Sequence, residues 1–185
     1  MLVQAAGATS TTSDNTARSH FDNFGVGGDM VNQMRRRLLR DVWAPGHPDY
    51  THLIVFGGDN DLYSDLTAGR RPANIGVDLA WMYEEARRRG ARVVAVTVAP
   101  WGGFKRYFNP TRQASTLELN RWIEGQRPAE AVDHVVDAYS LLSCGEPERL
   151  CPELARPFED GLHFGPLGHQ KLGQALLEQV FAGCV

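Results

Sequence analysis

The chain has 185 residues, with 19 Lys and Arg against 22 Asp and Glu, a length that suits one domain over 1–185 burying roughly 70% of its unfolded surface. A net charge of −3 argues against a nucleic-acid partner, because the dense basic runs, Arg35 to Arg37 and Arg87 to Arg89, fall on helical patterns and read as solvated faces. No stretch reaches the roughly 18 apolar residues of a membrane span, so no membrane partner is expected, and no basic-then-apolar leader is visible, which leaves the location open with the cytoplasm slightly favoured.

Leu2 to Ala6 reads as a short strand, followed by the turn-like Gly7-Ala8-Thr9-Ser10-Thr11-Thr12. Asn23 to Asp29 is glycine-rich, but a dinucleotide loop needs Gly where Met30 stands. Met30 to Arg40 places Val31, Met34 and Leu38 at helical spacing, with Asp29 as N-cap. Thr51 to Phe56 is a buried strand running into Gly57-Gly58-Asp59-Asn60-Asp61. There Asp59, Asp61 and Asp65 imitate a calcium loop without its Gly and terminal Glu. Ala73 to Arg89 repeats the helical pattern through Ile75, Leu79, Met82 and Ala86 and stops at Gly90. Arg92 to Val98 is the strongest strand. After it come a helix over Gln113 to Glu124, a strand over Asp133 to Asp137 and a helix from Pro166 to Phe181. Strands alternating with helices imply right-handed crossovers and a parallel sheet covered on both faces, an α/β/α sandwich. Ligands of such sheets gather at the carboxyl ends of the strands.

The segments after the strands supply the parts of an acyl-transfer site. A serine hydroxyl is a poor nucleophile until an imidazole, oriented by a carboxylate, takes its proton. Asp160 and His163, three apart in DGLHFGPLGH, provide acid and base. The tetrahedral intermediate needs donors aimed at its oxygen, and the Gly28 N–H and the Asn60 side-chain amide are suitable. An α/β-hydrolase is not indicated, because no serine sits in G-x-S-x-G.

These blocks resemble those of the SGNH, or GDSL-type, hydrolase superfamily. NFGVGGD is similar to its second block, with Gly28 as oxyanion glycine. VFGGDNDL is similar to the third, with Asn60, and DGLHFGPLGH to the last, with Asp160 and His163. VTVAPWG and ELNRWI resemble the segment between the third and last blocks. The resemblance implies a flavodoxin-like three-layer fold with about five parallel strands, a serine esterase acting through an acyl-enzyme, and no cofactor. The departure is in the first block, where the family's Gly-Asp-Ser stands as Gly7-Ala8-Thr9-Ser10. An ungapped match puts Thr9 on the nucleophile; one inserted residue aligns Ser10-Thr11-Thr12 with the family's Ser-x-Thr. Ser10 is the preferred nucleophile, with Thr9 as alternative. A small acyl group such as acetyl, on a small-molecule or carbohydrate ester, is the expected substrate. A fold that binds an acylated or glycosylated ligand without turnover, or an acyltransferase using the same site, are the alternatives.

Trp101, Phe104, Tyr107 and Phe108 cluster after the strongest strand around Gly102-Gly103, and Trp101, Phe104 and Tyr107 are expected to wall the substrate. Lys105 and Arg106 read as solvated charge. His20, His47, His52 and His134 have no partners that would make them ligands, His169 reads as a surface or capping residue, and no metal site is implied. Asp29 and Asp61 read as cap or turn residues. Cys144 and Cys151 either close a short loop or remain as reduced thiols.

Overall fold

A computed structural model describes residues 2–9, 18–64, 69–127 and 131–182, those up to 20 by their backbone alone. In chain order the elements are β1 (Leu2–Thr9), β2 (Arg18–Asn23), α1 (Val31–Asp41), β3 (His52–Phe56), α2 (Asp59–Tyr63) and α3 (Pro72–Arg88). They continue with β4 (Arg92–Val96), α4 (Pro110–Glu124), β5 (His134–Val136), α5 (Ala138–Leu142), β6 (Ser143–Cys144), β7 (Glu146–Leu150), α6 (Pro152–Ala155) and α7 (Pro166–Val180).

The apolar runs of β3 and β4 are buried on both sides because successive side chains point to opposite faces. Leu53, Val55, Val93 and Ala95 meet Val31, Met34 and Leu38 of α1, Ile75 and Leu79 of α3, and Leu119 and Ile123 of α4 in one core. Ile54, Phe56, Val94, Val96 and Val136 meet Leu142, Leu154, Leu172 and Ala175, from α5, α6 and α7, in a second core on the other face. Helices therefore cover both faces, as the alternation of elements implies.

The expected parallel sheet of about five strands needs correction. The strand order is β2-β1-β3-β4-β5, and β3, β4 and β5 pair in parallel. β1 is antiparallel to both of its neighbours. Its register sets Leu2 beside Phe56 and Ala6 beside His52, so the Thr9 end runs off past the amino end of β3. β2, with the sequence RSHFDN, carries no strand pattern that predicts it. The same holds for the β6–β7 hairpin, where Cys144 at the turn and Cys151, the residue after β7, are joined by a disulfide, with Cα atoms 5.1 Å apart.

Helix ends follow local chemistry. α4 starts where Asn109 accepts the Arg112 N–H (2.9 Å) and Pro110 occupies the first turn, and α7 starts at Pro166. α1 departs from expectation: Asp29 does not cap it but pairs with Arg37 (2.7 Å), while Asp61 accepts the Val31 N–H (2.8 Å). Among the described residues no helix is long and apolar enough to cross a membrane.

Candidate active site

Asp160 and His163 form a closed unit on the turn before α7. Asp160 Oδ1 accepts the N–H groups of Leu162 (2.9 Å) and His163 (2.8 Å), and Oδ2 meets His163 Nδ1 at 2.6 Å. Burial acts to raise the Asp160 carboxyl, but the His163 ring and the two N–H donors outweigh it and hold the group below the usual carboxylate range. An ionised carboxylate only accepts, so the ring proton belongs on Nδ1 and Nε2 is left as a base. The His163 side chain is 64% exposed, and among the described residues Nε2 has no hydrogen-bond partner.

The turn is tightly specified. Gly161 has φ +77°, and a Cβ there would lie 2.0 Å from the Gly103 carbonyl carbon, so backbone packs on backbone at this point. On either side of the histidine, Leu162 packs against the first core and Phe164 is buried in the second. Phe158, 56% exposed, sets its ring 5.9 Å from that of His163.

The proposed oxyanion donors come from two other segments. Asn60, in the first turn of α2, donates from Nδ2 to the Asp29 carbonyl (2.9 Å), which fixes the amide while leaving its second N–H. Asp29 N–H closes a turn onto Val26 O (3.2 Å), and the Gly28 N–H has no acceptor among the described residues. Asn60 and Gly28 are thus brought to adjoining segments. Asp59, beside Asn60, has a buried Oδ1 without a hydrogen-bond partner. Burial, reinforced by nearby Asp61, pushes its carboxyl up to about 6, against a downward pull from His163.

Contacts link this group to the dyad: Tyr63 of α2 packs on Phe104 (ring centroids 6.2 Å) and Tyr107 (5.5 Å), and the same loop brings Gly103 onto Gly161. Phe104 and Tyr107 are half-buried, whereas Trp101 is 1% exposed and its indole N–H donates to Thr116 (2.9 Å). Trp101 is therefore a core residue and not part of a substrate wall. Tyr63 stands far in sequence from the aromatic cluster it joins, so no local spacing marks it.

The first block is where the geometry and the expectation part. Ser10 lies outside the described residues. Thr9 ends β1 opposite Arg18, at the other end of the strands from Asn60, because β1 runs antiparallel to β3.

The match to known proteins covers most of the chain. The GDSL-like lipase/acylhydrolase family matches residues 5–171. This chain belongs to that family. Among solved structures, a GDSL-like lipase from Bacteroides thetaiotaomicron is similar at 22% identity and TM-score 0.66, over 85% of this chain and 73% of that one. A putative acylhydrolase from Bacteroides fragilis is similar at 19% identity and TM-score 0.70, over 82% and 70%. A catalytic mutant of an acetylxylan esterase from Geobacillus stearothermophilus is similar at 16% identity and TM-score 0.65, over 85% and 70%. At such identities the likeness of this GDSL-family chain to each is one of fold. No curated protein shows significant sequence similarity to it. Family membership supports a carboxylic ester hydrolase as the general activity.

Proposed function

We propose that this GDSL-family protein cleaves an ester, with a small acyl group such as acetyl, through an acyl-enzyme. The observation that carries the reading is the 2.6 Å pairing of Asp160 with His163 Nδ1, which leaves Nε2 as an exposed, oriented base. Ser10 is the hydroxyl assigned to attack. His163 takes its proton and returns it to the leaving alcohol, while Asp160 keeps the ring in its tautomer. The oxyanion is assigned to the second Asn60 N–H, the Gly28 N–H and the N–H of the nucleophile, each donor worth on the order of 10²-fold or more in rate. Phe104, Tyr107 and Tyr63 form an apolar wall suited to a sugar or other small-molecule face. The similar acetylxylan esterase supports a carbohydrate ester as substrate class.

The direction of β1 favours a second reading, in which the same site binds an acylated or glycosylated ligand without turning it over. For Ser10 to serve, its segment must reach the carboxyl ends of β3 and β4, whereas β1 leads toward their amino ends. Labelling the folded protein with a fluorophosphonate and locating the adduct by peptide mass separates the two. An adduct on Ser10 supports hydrolysis, one on Thr9 reassigns the nucleophile, and none supports the binding protein. A burst of chromogenic leaving group excludes the binding reading. Product ratios with and without an added alcohol distinguish hydrolysis from acyl transfer.

A further inference from the structure

Asn60 and Asp61 clasp the segment after Gly28 at two points: Asn60 Nδ2 holds Asp29 O (2.9 Å), and Asp61 Oδ2 accepts the Val31 N–H (2.8 Å). The second clasp depends on a carboxylate with no exposed surface. Its other oxygen, Oδ1, accepts from Arg70 Nε (2.7 Å). Arg70 is itself buried, reaches Asp78 Oδ2 through Nη2 (2.6 Å), and belongs to none of the family blocks. Asp78 in turn accepts from Arg35 Nη1 (2.8 Å), whose guanidinium lies 4.9 Å over the Trp81 ring. Arg70 ties the α2 segment to α3 by a charged bond at each end, to Asp61 and to Asp78.

We infer that Arg70 is a positioning residue of the acyl site: by holding Asp61 it fixes the Val31 clasp, and so the spacing between the Asn60 amide and the Gly28 N–H. This rests on the esterase reading, which assigns those two donors to the oxyanion. A planar guanidinium can bridge two carboxylates through separate nitrogens, which a lysine ammonium does not reproduce. Burial pushes the Asp61 carboxyl up, against the opposing bonds from Val31 and Arg70. Without Arg70 the carboxyl moves toward its neutral form and loses its charge-assisted hold on Val31. The loop then drifts, and a donor displaced from the developing charge loses most of its effect.

The test uses Arg70→Lys and Arg70→Met in the full chain, with p-nitrophenyl acetate kinetics and residue-resolved amide exchange on the same preparations. Both variants are expected to lower kcat by about 10- to 100-fold with KM within about threefold, as for a lost transition-state donor. The Val31 amide should exchange at least about tenfold faster, while Val98 N–H, held by Asn120 (2.8 Å) in the core, keeps its protection. Either change without the other overturns the proposal. So does equal loss of protection at Val31 and Val98, or failure of both variants to fold, since Arg70 would then only support the fold. If the wild-type protein shows no turnover, the esterase reading fails by itself, and exchange at Val31 still decides whether Arg70 holds the loop.

Discussion

Replacing Gly161 by alanine should separate the geometry of the catalytic turn from its backbone conformation. At φ +77° an added Cβ costs about 1–2 kcal/mol from the left-handed conformation alone. It would also stand 2.0 Å from the Gly103 carbonyl carbon, about 1.4 Å short of the 3.4 Å at which ordinary contact begins. The two backbones must part by roughly that amount, and overpacking of this kind adds about 1–3 kcal/mol. Gly90 supplies the control, because it has the same φ of +77° with nothing within 4 Å of a Cβ. Gly90→Ala is expected to lower Tm by about 2–8 °C and Gly161→Ala by about 4–20 °C, at roughly 2–4 °C per kcal/mol for a chain of this size. A displacement on the order of 1 Å in the Asp160–His163 turn should lower kcat by about 10²-fold, whereas Gly90→Ala should leave it unchanged. Thermal unfolding by circular dichroism and p-nitrophenyl acetate turnover measure both. If the two variants lose the same stability and keep the same activity, the Gly103–Gly161 contact does not set the turn.

His163→Ala is expected to lower kcat by about 10³-fold or more while moving Tm by less than about 3 °C, because the side chain is mostly exposed; a collapsed far-ultraviolet spectrum would refute this. Asp59 should make stability pH-dependent. Its carboxyl, raised to about 6 in the folded protein from 3.8, contributes stability that is fully present below pH 3.8 and lost as pH rises through 6. Against Asp59→Asn, the wild type should therefore lose on the order of 1–3 kcal/mol in urea unfolding between pH 4 and pH 7, and a constant difference would refute the assignment. Thiol titration of urea-unfolded, unreduced protein should find one reactive thiol of the three cysteines, with Cys144 and Cys151 joined; three would refute the disulfide.

Much of this architecture is legible in the residues themselves. The unbroken apolar runs at Leu53–Phe56 and Val93–Val96 require burial on two faces, and the helical spacing of Ile75, Leu79 and Met82 requires a helix packed along one side. The Asp160–His163 pairing is local, so its spacing alone announces it. What is not legible depends on direction or distance. Alternation in Leu2–Thr9 marks a strand but carries no arrow, and parallel and antiparallel β1 read alike in sequence. Trp101 looks like a loop aromatic until Thr116, fifteen residues on, accepts a hydrogen bond from its indole N–H. Asp61 reads as a turn acid until Val31, thirty residues earlier, and Arg70 close on its surface. Glu146–Leu150 has neither period and pairs only because the hairpin returns on Ser143 and Cys144.

The anchoring of Leu162 and Phe164 in opposite cores makes His163 a hinge pin between two layers. Both cores are built on alternate residues of β3 and β4, so a shift of one layer against the other reaches the imidazole through its two neighbours. Catalytic alignment in this protein should therefore respond to interior volume changes far from the Asp160–His163 turn on either side of the sheet.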